Sequence, residues 1–188
     1  FSYRPIELKK KSCLIFGLGG IGICLAERLN AFGVKVDAIT NDYPPILNSL
    51  DNVYFDRKNL EIFKYDIVIS TAPLTLRTKN FFNYSFFNKM KNDSIFINVS
   101  RGKLVDTNAL LKNNIHKKFR GIGLDVTYPE PLPKTHRLRS LKNVFLTPHI
   151  AGMSDYNRER SFYLIKENIN RYLNNEELLN IVNKNKEY

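Results

Sequence analysis

Three residues of unlike chemistry each stand just beyond an apolar run of strand length: Arg101 after "SIFINVS", Glu130 in the loop "DVTYPEPLP", and His149 after "VFLTP". A guanidinium can hold a carboxylate by two parallel hydrogen bonds, which is why arginine rather than lysine suits that task. A carboxylate near a histidine favours the charged ring and one tautomer, which equips the ring to pass a proton. Prolines on both sides of Glu130 restrict its loop, and Pro148 holds the approach to His149 extended. A histidine so equipped is what a hydride-transfer enzyme needs when a proton must move with the hydride. Taken singly, each residue type is more often structural. The other histidines, His116 and His136, lie in basic polar segments and read as surface residues.

A second constellation lies near the start, in "CLIFGLGGIG" at 13–22. The apolar, uncharged run 13–16 suits a short strand buried on both faces. Ile23, Ala26, Leu29 and Phe32 then recur at helical spacing. Gly17, Gly19 and Gly22 therefore occupy a strand-to-helix corner in GxGxxG spacing. There the first glycine permits the tight turn, the second the approach of backbone to a pyrophosphate, and the third close helix–strand packing. The corner predicts a bound dinucleotide or related nucleotide, with the helix N-terminus facing its anion.

The elements that must position these groups follow a regular alternation. Apolar runs recur at 13–16, 34–39, 53–55, 67–69, 95–99, 122–126 and 144–146, with helical or mixed patterns between several of them. This predicts an α/β fold, a doubly wound, Rossmann-like parallel sheet with helices on both faces. Ligands of such sheets bind beyond the carboxyl ends of the strands, where Gly17 to Gly22, Thr40 to Asp42, Ser70 to Pro73, Ser100 and Arg101, Asp125 to Glu130, and Thr147 to Gly152 fall. From Ser154 onward one long amphipathic helix is expected, with Phe162, Ile165, Ile169 and Tyr172 on its apolar stripe. "NNEELLNIVN" then reads as a turn and a short final strand.

The chain has 188 residues, 43% of them hydrophobic, enough to bury the core of one large domain. Its formal charge of +11 is scattered, with "KKK" at 9–11 the one tight run, and no nucleic-acid motif accompanies it. The basic residues read as a solvated surface, so neither nucleic acid nor membrane is expected as a partner. Cys13 and Cys24 have neither disulfide nor metal spacing, so no metal is expected and a reducing interior is the default. The chain starts at Phe1 rather than Met, and "FSYRPIELKKKS" lacks a secretory apolar stretch. The start reads as a cut or processed end, with a cytoplasmic location as the default and an organelle left open.

The stretches "IFGLGGIG", "APLTLRT", "INVSRGKLVDTNAL", "GIGLDVTYPEPLP", "NVFLTPHIAG" and "KENINRYLNNEELLNIVN" follow one another as in the D-isomer-specific 2-hydroxyacid dehydrogenases, which the chain resembles over essentially its whole length. The resemblance implies an NAD- or NADP-dependent oxidoreductase acting on a small 2-keto or 2-hydroxy acid such as glyoxylate, hydroxypyruvate or 3-phosphoglycerate. It makes Arg101 the arginine for the substrate carboxylate, His149 the acid/base, and Glu130 the acidic partner of that histidine. Gly20 and Ile21 join the glycines in the pyrophosphate turn, Thr71, Ala72, Pro73 and Thr78 line the cofactor, and Val99 and Ser100 lie beside the nicotinamide. Asp125 falls near the carboxamide, and Gly152 in "TPHIAG" completes the cofactor set.

Two departures stand out. Thr40 occupies the place where the family carries the acid that holds the adenosine ribose; Asp37 and Asp42 are near but off that position, and no arginine replaces it. Little discrimination between NAD and NADP is therefore expected. The family also builds a substrate domain before its first cofactor-binding strand, and here that domain is largely absent. Residues 1–173 are accordingly expected to form the dinucleotide-binding domain and 174–188 a segment returning to the substrate domain, in a full-length homodimer. Two other readings remain: a non-catalytic dinucleotide-binding regulator like the corepressors of this fold, and an inactive truncated product.

Overall fold

The computed structural model describes residues 4–41, 47–56 and 60–187. By contacts the chain divides into two units, Phe1–Pro148 and His149–Tyr188.

The first unit is built on a seven-stranded, wholly parallel sheet. Its strands are β1 (Ser12–Phe16), β2 (Lys35–Ile39), β3 (Asn52–Tyr54), β4 (Ile67–Ser70), β5 (Ile95–Asn98), β6 (Gly121–Leu124) and β7 (Val144–Leu146), in spatial order β3-β2-β1-β4-β5-β6-β7. Each of the seven apolar runs forms a strand, and the doubly wound order places the chain reversal between β1 and β4. That is the crevice where ligands of open α/β sheets bind.

Each face of the sheet has its own core. Cys13 and Ile15 of β1, with Val36, Ala38, Ile67 and Ile69, pack under α1 (Gly20–Ala31), which contributes Ala26 and Leu29. Leu14 and Phe16 point to the opposite face, where α2 (Tyr84–Lys89) and α3 (Thr107–Leu111) bring Phe86, Phe87, Ala109 and Leu110 against Val68, Phe96 and Ile122. There Phe16, Phe81, Phe82, Phe86, Phe87, Phe96 and Phe119 form a connected aromatic cluster, with ring centroids 3.9 to 6.2 Å apart. Asn83 caps α2 and Asp106 caps α3 through side-chain oxygens that accept from backbone N–H groups.

Buried polar groups fix the outer strands. Asp37, in the middle of β2, accepts from Tyr65 Oη at 2.7 Å and Asn52 Nδ2 at 2.9 Å, with Lys64 Nζ 3.3 Å away. Burial and then Asp37 push the Tyr65 hydroxyl well above its ordinary value, and burial with the nearby Asp37 raises the Cys13 thiol to about 12. Cys13 is thus a core thiol held neutral. His116 departs from expectation: it is 5% exposed, because Asn113 and Asn114 take left-handed backbone that breaks the helical run before it. Its carbonyl accepts from Asn143 Nδ2 at 2.8 Å. His136 is half-buried, and its Nδ1 accepts from Leu138 N at 3.3 Å.

In the second unit the expected helix is α4 (Asn157–Leu173), and none of its residues is buried. The expected final strand is absent among the described residues after it. A strand needs a ladder edge, and α4 supplies a side chain in its place. Asn168 donates Nδ2 to Leu179 O at 3.1 Å and accepts from Leu179 N at 2.8 Å, the exchange that a neighbouring strand residue would make. Among the described residues no helix is long and apolar enough to cross a membrane.

Candidate active site

The turn after β1 is held from three sides. Gly17 donates its N–H to Ile39 O at 2.9 Å, and its own carbonyl accepts from Thr71 Oγ1 at 2.6 Å. Its φ is +99°, and a β-carbon there would stand 2.5 Å from Ala72 Cα, so only glycine fits. Gly22 lies directly against Gly17 O and draws α1 onto the strand. Gly19 and Gly20 are exposed, with nothing within 4 Å of the place a β-carbon would take. Gly19 is also the N-cap of α1 and has no capping side chain, and no acidic residue stands in the first turn. Backbone N–H groups at this N-terminus are left to an anion, in a cradle that any side chain at 19 or 20 would fill. Ile21 is 63% exposed beside it.

Hydroxyls around this crevice hold the loops rather than reach outward. Thr71 props the glycine turn, as above. Thr78, 7% exposed, donates Oγ1 to Pro73 O at 2.7 Å and accepts from Thr75 N at 2.8 Å, closing the loop that carries Ala72 and Pro73. Ser100 Oγ donates to Asn98 Oδ1 at 2.7 Å and lies 2.8 Å from Ser70 Oγ. Thr40 continues the ladder through its N–H to Tyr54 O at 3.0 Å and is half-buried. Asp37 is committed to Tyr65, Asn52 and Lys64, two residues inside the strand end, and Asp42 lies outside the described residues.

Arg101 and Glu130 are exposed on two neighbouring loops, after β5 and after β6. The loops are locked to each other. Gly102 packs against Thr127 O so closely that no β-carbon fits, Thr107 Oγ1 donates to Tyr128 O at 3.1 Å, and Lys103 Nζ sits 4.7 Å from the Tyr128 ring centroid. The Arg101 guanidinium donates to Ser100 O at 2.7 Å, and half-buried Val99 donates its N–H to Ser70 O at 3.3 Å. Asp125, 6% exposed, accepts from Thr147 Oγ1 at 2.6 Å and donates its N–H to Asn98 O at 3.0 Å.

Every expected site residue of the first unit thus lies at the carboxyl edge of one parallel sheet. His149 and Gly152 belong to the second unit. His149 has φ +57°, uncommon for a residue with a β-carbon, and Gly152 is exposed with open space at its β-position. Of the supporting residues, Ser70 and Thr147 fall in the strand-end stretches expected to meet a ligand, whereas Asn98, Gly102 and Thr107 were not among the expected positions. Small polar residues at the ends of apolar runs were the signal that marks them.

Comparison with known proteins bears on this edge. The sequence model described as "D-isomer specific 2-hydroxyacid dehydrogenase, NAD binding domain" matches residues 2–151. A glyoxylate reductase of Thermofilum pendens is 36% identical over 179 residues, 95% of this chain and 53% of its own. The human glyoxylate reductase/hydroxypyruvate reductase is 34% identical over 174 residues, 89% of this chain and 53% of its own. The chain therefore spans about half the length of these relatives. A solved D-isomer specific 2-hydroxyacid dehydrogenase of Xanthobacter autotrophicus Py2, in complex with NADPH and MES, superposes over 100% of this chain and 77% of its own, with TM-score 0.88 and 28% identity.

Proposed function

The chain belongs to the D-isomer-specific 2-hydroxyacid dehydrogenase family through its NAD-binding domain, and on that premise we propose that the whole protein moves a hydride between a nicotinamide dinucleotide and a small 2-keto or 2-hydroxy acid. Glyoxylate and hydroxypyruvate are the first substrates to try, since they are named in the relatives. The observation that carries the reading is the uncapped N-terminus of α1 with open space at Gly19 and Gly20, set on the same sheet edge as the interlocked loops of Arg101 and Glu130.

Backbone N–H groups of the 17–22 turn receive the pyrophosphate, with Ile21, Ala72, Pro73, Val99 and the backbone of Ser100 lining the rest of the cofactor's path. When bound, the nicotinamide supplies or accepts the hydride. Arg101 holds the substrate carboxylate and so presents the neighbouring carbonyl in one orientation. His149 gives a proton to the carbonyl oxygen in reduction and takes it back in oxidation, while Glu130 supports its protonated form. Thr40 gives neither the carboxylate that refuses a 2′-phosphate nor a cation that grips one, so both NAD and NADP are accepted. Residues 174–188 return toward a substrate domain, and the full-length protein is a cytoplasmic homodimer. Support for a reducing compartment comes from the cysteines, both unpaired.

The test is reduction of glyoxylate and hydroxypyruvate by the full-length protein with NADH and NADPH. Arg101→Ala is expected to raise KM for the keto acid, while His149→Ala is expected to lower kcat by about 10²- to 10⁴-fold. Full activity of the His149→Ala variant would refute the assignment.

A further inference from the structure

The loop that carries Arg101 is fixed from below. Asn98, the last residue of β5, is 0% exposed. Its Nδ2 donates to Arg101 O at 3.0 Å, and its Oδ1 accepts from Ser100 N at 3.1 Å and Ser100 Oγ at 2.7 Å. One carboxamide thereby binds both residues of the turn that ends in the guanidinium. Behind it Ser70, the last residue of β4 and also 0% exposed, places its Oγ 2.8 Å from Ser100 Oγ. Ser70 and Asn98 are register partners across β4 and β5.

Proton counting gives the chain a direction. Ser100 has one hydroxyl proton and donates it to Asn98 Oδ1, so the proton between the two hydroxyls comes from Ser70. The order is Ser70 to Ser100 to Asn98 to the carbonyl of Arg101, every group buried up to the last. A carboxamide accepts at one atom and donates at the other, as this place requires. An aspartate of the same shape would face the Arg101 carbonyl with a second acceptor. Ser70 is followed in the chain by Thr71, whose hydroxyl braces the Gly17 turn, so the end of β4 carries both the buried hydroxyl behind the Arg101 loop and the brace of the glycine turn.

We infer that Asn98, backed by Ser70, is a positioning residue that sets Arg101 at the distance from the cofactor cradle at which its guanidinium meets a substrate carboxylate. The inference rests on the proposed role of Arg101. A displacement of about 1 Å in such a group can cost about a hundredfold in rate.

The experiment is a double-mutant cycle in the full-length protein between Asn98→Ala and Arg101→Ala. It reads KM and kcat for glyoxylate, inhibition by oxamate as a carboxylate probe, and dinucleotide Kd by calorimetry. Asn98→Ala is expected to weaken oxamate and raise KM by about tenfold or more, with dinucleotide Kd changing far less than oxamate affinity, and to add nothing to the loss of oxamate affinity once Arg101 is gone. Ser70→Ala, which removes one buried hydroxyl and no backbone contact, is expected to repeat the pattern more weakly; it decides the matter if Asn98→Ala does not fold. Independent, additive losses in the cycle would overturn the inference, as would unchanged oxamate affinity in a folded Asn98→Ala or, failing that, in Ser70→Ala. If Arg101→Ala itself leaves oxamate binding intact, the proposed role of Arg101 fails and the inference with it, an outcome recognisable from that single variant.

Discussion

At Gly17 a β-carbon would stand 2.5 Å from Ala72 Cα on a backbone with φ +99°, whereas at Gly19 it would meet nothing within 4 Å. Two substitutions of the same kind should therefore fail in different ways. Gly17→Ala is expected to lower the melting temperature, by a cost of about 1–3 kcal/mol or more for the strained position. Gly19→Val should leave the melting temperature nearly unchanged and abolish dinucleotide binding by calorimetry. Equal dinucleotide affinity in wild type and Gly19→Val would remove the cradle assignment. Thr40→Asp should shift preference toward NAD; a wild type that already favours NAD about a hundredfold, worth about 2.7 kcal/mol, would mean that another group refuses the phosphate. Residue identity made Gly17, Gly19 and Gly22 legible because their spacing encodes geometry. It did not show that the hydroxyls of Thr71, Thr78 and Ser100 are spent inside the loops, because hydroxyl direction depends on partners distant in sequence.

Among the elements, β1 is pinned at its amino end by Asp66. Ser12 N and Oγ donate to Asp66 Oδ2 at 3.0 and 3.1 Å, and Lys91 Nζ donates to Oδ1 at 2.6 Å. Partial burial works against the carboxylate, yet the bonds from Lys91 and Ser12 hold Asp66 below the usual carboxylate range. Its contribution to stability is therefore present above the ordinary aspartate value of about 3.9 and is lost as pH falls through the lower folded value. Asp66→Asn should destabilise the protein at neutral pH, with its difference from wild type narrowing below about pH 4 in denaturant titrations. Phe82, 0% exposed in the aromatic cluster, should cost about 3–5 kcal/mol on truncation to alanine. Strands were the most legible elements, because each is a short, mainly apolar run closed by polar residues or glycine, with Asp37 of β2 the charged exception. The final segment misled for the complementary reason: Leu178, Leu179, Ile181 and Val182 have strand-like character, but pairing requires an edge, and the amide of Asn168 stands in for one. His116 misled because its polar neighbours in sequence are not its neighbours in space.

For the whole molecule, the parallel sheet supplies a rigid edge, and the chain covers about half of its relatives' length. Water at an open edge screens the attraction between a guanidinium and a carboxylate, so Arg101 on its own holds a keto acid weakly and with little control of its pose. Residues 1–188 alone are therefore expected to bind a dinucleotide with negligible turnover, and to recover activity when a substrate domain is supplied. Robust cofactor-dependent reduction of glyoxylate by the purified 188-residue chain would contradict this. On α4, Phe162, Ile165, Ile169 and Tyr172 are each more than half exposed, so concentration-dependent self-association is expected in sedimentation. The reversal of strand order between β1 and β4 also bears on how the protein is made. One wall of the crevice, the 17–22 turn, leaves the ribosome well before Thr71, the residue that braces it. At about 5–20 residues per second that interval lasts seconds. A nascent chain in this window has no finished crevice, so the dinucleotide is a late ligand: it can arrest unfolding of a completed β1–β4 pair but cannot guide the first strands into place.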